Sequence, residues 1–280
     1  MTFVTDELIE LRGLRFHYRD WKPQQEAAPV VVLLHGYTGH ARSWDAVAQG
    51  MADRYRVIAL DQRGHGESAW AGPGGYAIGE MTADLEAFVA ALGLGGFDLV
   101  GLSMGGMVSM DYAGRRPAAL HRLIIVDIAP EIASQGSSRI QTGQKQSDVF
   151  DSRKVAFEGA RTANPIPPDD HLHHRVYNNL MLLADGRVTW RYDRALRDPR
   201  ELKMRSPEEG WASCAAITAP TLVMRGEISD ILAPEVADRM VRTIPGSRLA
   251  IVEGAGHSIP LDKPDGFLAA ARGFLTGNDA

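Results

Sequence analysis

Ser103 is the residue of this chain whose surroundings most plainly prepare a chemical step. It sits in Gly101-Leu102-Ser103-Met104-Gly105, a G-x-S-x-G pattern, after the apolar run Phe97 to Leu102 and before a helix-like stretch from Met107 to Arg115. A sharp strand-to-helix turn lifts the serine hydroxyl off the end of a sheet. Glycines two residues before and after it leave room for a strained backbone and for close packing of strand on helix. The turn also opens a helix, where unpaired N–H groups and the dipole favour developing negative charge. The bare motif arises often by chance; the strand–turn–helix context separates it from a serine that merely caps a glycine-rich turn. A serine hydroxyl is a poor nucleophile at neutral pH and needs a base within hydrogen-bond reach. Nine histidines are available.

These residues need elements to hold them. Leu8–Glu10 and Leu14–Tyr18 flank Arg12-Gly13 and predict a hairpin. Val30–Leu34 is a continuous apolar run, the pattern of a strand buried on both faces. Val57–Leu60, Leu99–Leu102, Leu123–Val126, Thr221–Met224 and Leu249–Val252 share that pattern. Amphipathic stretches lie between them, among them Met81–Leu92, Met104–Arg115 and Pro234–Thr243. Alternating strand and helix predicts an α/β fold, a mostly parallel central sheet with helices on both faces.

The rhythm breaks between Glu131 and Ala216, where no buried-strand run occurs. Roughly eighty residues are too many for an ordinary connection. The expected organisation is a core in two parts, residues 1–130 and 217–280, with a helical cap inserted at 131–216. Phe157, Tyr177, Met181, Leu182, Trp190 and Tyr192 could line a pocket there or hold the cap's own small core. Arg187, Arg191, Arg194 and Arg197 alternate with Asp185, Asp193 and Asp198, which favours a solvated face over an anion trap.

Read together with His35-Gly36, Asp61-Gln-Arg-Gly-His-Gly-Glu-Ser68 and Gly254-Ala-Gly-His257, the serine motif resembles that of a capped α/β-hydrolase. The resemblance covers about residues 8–275, with the four motifs in the family's order. It implies a Ser-His-acid triad with Ser103 as nucleophile and His257 as base, on the loop after Leu249–Val252. It also implies an oxyanion hole built from the backbone amides of Tyr37 and Met104. Two fixed N–H donors stabilise a tetrahedral oxyanion, and loss of one typically costs about 100- to 1000-fold in rate. His65 and the loop around it, with Asp61 and Arg63, read as structural, and Trp44 as core.

The acid is ambiguous. A carboxylate must hold the imidazole tautomer and stabilise the imidazolium. Asp230 follows Thr221–Met224 and stands four residues before Pro234, the usual position in the family, although its loop is one residue longer than the common form. Asp127 ends the run Leu123–Val126 and precedes Pro130, and some members of the superfamily place the acid there. Asp230 is the preferred candidate, Asp127 the alternative and Glu227 a third.

His171, His173 and His174 form an H-x-H-H cluster without a cysteine or a spaced partner pair, so a substrate-facing or solvated cap helix is expected rather than a metal site. The single cysteine, Cys214, admits no intrachain disulfide and reads as structural. A net charge of −5 gives no footing for nucleic acid. The N-terminus lacks the pattern of a signal peptide, and no run approaches the roughly 18 apolar residues of a membrane span. A cytoplasmic protein is expected, with a small acyl substrate, no nucleic-acid or membrane partner, no metal or organic cofactor, and a homodimer among the oligomeric options.

The leading expectation is hydrolysis of a carboxylic ester, or of a thioester, lactone or activated amide, through an acyl-enzyme. Serine members of the fold also cleave carbon–carbon bonds, act as cofactor-free perhydrolases, or bind ligands as receptors. Dehalogenases and epoxide hydrolases of the fold usually carry an aspartate at the elbow, which Ser103 argues against.

Overall fold

In this computed structural model, residues 3–25, 27–131, 147–198 and 200–277 are described. The first two strands, β1 (Phe3–Leu11) and β2 (Leu14–Lys22), form the expected antiparallel hairpin. Its two-residue turn places Arg12 at φ 51° and Gly13 at φ 79°, the left-handed pair that matches the twist of a tight hairpin. The apolar runs then become β3 (Val30–Leu34), β4 (Arg56–Leu60), β5 (Phe97–Leu102), β6 (Leu120–Val126), β10 (Thr221–Gly226) and β11 (Arg248–Val252). These eight strands form one sheet in the order β1-β2-β4-β3-β5-β6-β10-β11. β2 meets β4 antiparallel, and every pairing from β4 to β11 is parallel.

Side chains alternate across a strand, so each run feeds two cores. Val31, Leu33, Val57, Val100 and Ile124 pack with Trp44, Met51 and Phe267 on one face. These three come from the helical segments around α1 (Asp45–Met51) and from α9 (Pro264–Thr276). Val32, Leu34, Ile58, Leu99, Leu123 and Val223 pack on the other face. Their partners there include Phe88, Val108 and Met240. Those lie on α2 (Ile78–Ala91), α3 (Met104–Gly114) and α7 (Pro234–Thr243). Each such side chain contributes about 1.5–3 kcal/mol by leaving water, which explains why continuous apolar runs are needed. The parallel strands all end on one edge, and the residues that follow β3, β5, β6, β10 and β11 gather there.

The inserted segment holds the expected helices, α4 (Arg153–Ala163) and α5 (Asp169–Asn178). It also holds a small antiparallel sheet that the sequence did not announce: β7 (Val149–Phe150), β8 (Leu180–Leu182) and β9 (Val188–Trp190), in the order β7-β9-β8. Strands of two or three residues carry no long apolar run; Leu180 is buried while Leu182 is 70% exposed. Ala156, Leu172, Val176, Leu180 and Val188 form a separate cluster that meets Leu261 of the sheet half. The last helix of the interval, α6 (Pro207–Ala216), lies elsewhere: it packs on α3, with Ser213 against Gly114 and Cys214 Sγ 3.5 Å from Met110 Sδ. Burial pushes the Cys214 thiol up to about 12, so it behaves as a core side chain. No helix among the described residues is long and apolar enough to cross a membrane.

Candidate active site

Ser103 joins β5 to α3 with φ 53° and ψ −117°, a conformation L residues rarely adopt. Strain of this kind costs about 1–3 kcal/mol and persists only where surrounding contacts enforce it. Here its N–H donates to the Val126 carbonyl at 3.0 Å, which anchors the turn to the neighbouring strand. A Cβ on Gly105 would run into the carbonyl oxygens of Leu34 and His35, and one on Gly101 into Gly105 O and Ser109 Oγ. Both glycines are therefore fixed by contact of helix with sheet.

His257 lies on the loop between β11 and the short helix α8 (Ile259–Asp262). Its Nδ1 is 2.8 Å from Asp127 Oδ2. Asp127 follows β6 with φ 52°, and its side chain is fully buried. Its carboxylate also accepts the Gly226 N–H at 2.9 Å and the Ser229 hydroxyl. The structure thus brings Asp127 to the imidazole, where the preference from sequence was Asp230. The reason is the loop after β10. Gly226 packs against the carbonyls of Ala255 and Gly256, and from there Ser229 turns inward to Asp127 while Asp230 sits half-buried one residue on. Glu227 is spent on the Gly254 N–H, at 2.8 Å. With Nδ1–H donating to Asp127, Nε2 is the ring nitrogen left to face the serine. Ser103 and His257 line one pocket.

The opposite wall is the loop after β3. His35 Nδ1 donates to Gly36 O at 2.8 Å, and its Nε2 accepts the Gln62 N–H at 3.0 Å. Burial pushes its pKa down to about 3, so it stays neutral and serves as a fixed brace. A Cβ on Gly36 would approach Ser103 Cβ to 3.1 Å, so the loop lies directly over the nucleophile. Met104 opens α3, where first-turn amides have no intrahelical acceptor. The Tyr37 hydroxyl donates to Leu196 O at 3.0 Å, which ties this loop to the inserted segment. Asn179 Nδ2 to Thr38 O at 2.8 Å and His40 Nε2 to Arg175 O at 3.0 Å add two more ties.

Asp61 anchors the layer behind. It accepts from Ala41 N at 2.5 Å and Glu67 N at 2.9 Å and pairs with His17 Nδ1 at 2.7 Å. Although burial works against the carboxylate, the bond and charge of His17 hold its pKa down at about 2. Arg63 forms a fork with Asp84 at 2.5 and 2.6 Å, and His65 is buried with its ring against Tyr192. All three serve as supports, as their motif suggested.

Of the aromatic candidates, Phe157, Tyr177 and Trp190 pack against the small core of the inserted segment. The histidine cluster disperses. His173 stacks on Tyr177 with ring centres 3.8 Å apart, and His174 bonds Asp45 at 2.8 Å. Trp44 is in the core at 1% exposure, although it also borders the pocket. The pocket residue that sequence reading missed is Arg175, on α5. A signal existed: it stands three residues after Leu172 and beside Val176, on the edge of that helix's buried stripe, where an arginine is out of place.

A family model described as alpha/beta hydrolase fold matches residues 29–264. An esterase of Mycobacterium tuberculosis is 28% identical over 261 residues, 89% of this chain and 83% of its own. N-formylmaleamate deformylase of Pseudomonas putida is 28% identical over 98% of this chain and 97% of its own. Among solved structures, an alpha/beta hydrolase from Novosphingobium aromaticivorans superposes with a TM-score of 0.85 at 30% identity, covering 97% of this chain and 98% of that one. The family match takes in the strands from β3 to β11, the serine turn and the histidine loop alike, and the chain belongs to the α/β-hydrolase fold family of hydrolases.

Proposed function

We propose that the protein hydrolyses a carboxylic ester or a closely related acyl bond through an acyl-enzyme on Ser103. The observation that carries this reading is the 2.8 Å bond from His257 Nδ1 to the buried carboxylate of Asp127, with Ser103 strained at the elbow of the same pocket. His257 Nε2 takes the hydroxyl proton as Ser103 Oγ attacks the acyl carbon. The carbonyl oxygen becomes an oxyanion held by the amides of Met104 and Tyr37. The imidazolium, steadied by Asp127, hands its proton to the leaving alkoxide. A water molecule then repeats the cycle against the acyl-serine, giving the carboxylic acid and free enzyme. No step calls for a metal or an organic cofactor.

Similarity to an esterase favours the ester, and similarity to a deformylase keeps an activated amide within the same reading. Residues 147–198 would act as the cap over this site, tied to the oxyanion loop through Tyr37, Thr38 and His40.

The experiment is turnover of p-nitrophenyl esters from acetate to octanoate by wild type and Ser103→Ala, with labelling by a fluorophosphonate probe. Turnover and labelling that both vanish in Ser103→Ala are expected. Turnover that survives in Ser103→Ala overturns the assignment of the nucleophile. A wild type that neither turns over nor labels overturns the hydrolase reading.

A further inference from the structure

We propose that Arg175 is the anchor for a carboxylate on the substrate, so that the acyl bond cleaved belongs to a molecule carrying a second, anionic group. This deepens the acyl-hydrolase reading and rests on it.

Arg175 lines the pocket that also holds Ser103 and His257. Its guanidinium makes no hydrogen bond and no ion pair among the described residues, although it has five N–H donors to satisfy. The neighbouring carboxylate, Asp262, is already committed. Its Oδ1 accepts from Asn164 Nδ2 at 2.8 Å and its Oδ2 from the Gly256 N–H at 3.0 Å. Other arginines of the inserted segment are engaged: Arg161 with Asp169 at 2.5 Å, Arg187 with Asp185 at 2.7 Å, Arg194 with Asp148 at 2.9 Å. Arg175 stands apart from them in lining the pocket half-buried with no carboxylate paired to it, and desolvation lowers its pKa.

A half-buried guanidinium with only a distant carboxylate near it has lost part of its hydration, and a directly paired anion would make up that loss. Its backbone is fixed by the bond from His40 to its carbonyl, and α5 is pinned one turn further on by Asn179 to Thr38 O. The charge is thus presented to the pocket from a braced helix. A planar carboxylate can accept two parallel N–H bonds from a guanidinium, and that pairing would recover the lost solvation. The pocket also shares Ser43, Arg175, Pro260 and Leu261 with an outer cavity bordered by Arg42, Asp45, Asp170 and His174. Arg175 therefore stands where the two cavities adjoin, and of the side chains common to both it is the charged one.

The test compares monomethyl succinate, glutarate and adipate with methyl pentanoate and methyl hexanoate, by pH-stat titration, on wild type, Arg175→Lys and Arg175→Gln. Wild type is expected to favour a charged ester by about tenfold or more in kcat/KM, the yield of one well-formed pairing. Arg175→Gln should erase that ratio, chiefly through KM, and Arg175→Lys should keep part of it. A wild-type ratio at or below one for every chain length overturns the proposal, as does a ratio that Arg175→Gln leaves unchanged. Should Arg175→Gln not fold, competitive inhibition of wild type by glutarate against 1,5-pentanediol decides, and equal inhibition overturns it. If no ester turns over at all, the hydrolase reading fails on its own. Calorimetric binding of glutarate to wild type and Arg175→Gln then still separates an anion site from none.

Discussion

Asp127 and His257 lie 130 residues apart in the chain, yet the Oδ2 of one sits 2.8 Å from the Nδ1 of the other. The aspartate follows β6, the histidine follows β11, and β10 lies between those strands in the sheet. The carboxylate spans that strand by way of the Gly226 amide, which it also accepts. This fixes which acid can set the tautomer of the base.

Asp127→Asn should therefore lower kcat by about 10⁴-fold, because an amide at that position holds the wrong imidazole tautomer. Asp230→Asn should stay within a few-fold of wild type. Steady-state hydrolysis of one p-nitrophenyl ester by both variants checks this. The reverse pattern would return the role to Asp230.

The Ser229 hydroxyl reaches the same carboxylate. Hydrogen bonds to charged groups contribute about 1.5–3 kcal/mol. Ser229→Ala should lower kcat by roughly tenfold, with little change in KM, since the lost bond positions the acid and touches no substrate. A variant with wild-type kcat would mean the Gly226 amide alone suffices.

Gly105→Ala tests the elbow as a packing problem. Its methyl would meet the carbonyl oxygens of Leu34 and His35, which belong to the sheet and cannot swing aside. Overpacking of this kind costs about 1–3 kcal/mol. A lower denaturant midpoint is expected, together with loss of turnover as Ser103 and Met104 shift. An unchanged midpoint would show that α3 slides freely on β3.

Acid should destabilise the fold through its buried imidazoles. Burial lowers His35 to about 3 and His40 and His65 to about 4, so all three gain a proton on unfolding once the pH falls below their ordinary 6.5. Their stability is present above that value and is lost as pH drops toward the folded values. His17, raised by its bond to Asp61 in spite of burial, runs the opposite way only above 6.5 and is protonated in both states near pH 5; the offset there comes from Asp98, whose carboxyl burial raises to about 6 and which releases its proton on unfolding. Together they imply net uptake of about two protons on unfolding near pH 5, a slope of roughly 3 kcal/mol per pH unit. Urea midpoints measured from pH 7 to pH 4.5 should fall with that sign, and His65→Gln should flatten the slope. A midpoint independent of pH would mean that these imidazoles titrate normally. Asp61, held near 2, adds a further loss only as pH falls below about 4.

Local sequence carried the strands of the main sheet and the nucleophile because both depend on neighbours in the chain, whereas the two- and three-residue strands β7, β8 and β9 are too short to leave such a pattern. A run such as Val30–Leu34 has no stable place except between two apolar layers, and glycines around Ser103 signal a turn that tolerates no side chains. The histidine and both candidate acids were also legible, since each follows an apolar run and parallel strands end on one edge. Two features of the site were not. The choice between Asp127 and Asp230 turned on how the loop after β10 packs on Gly256, a contact between segments that no local pattern encodes. Arg175 was hidden because its meaning lies in what fails to reach it. Asp262 is near enough to attract it but is bound to Asn164 and Gly256, and only the tertiary arrangement shows that a guanidinium without a paired carboxylate lines the pocket of the serine.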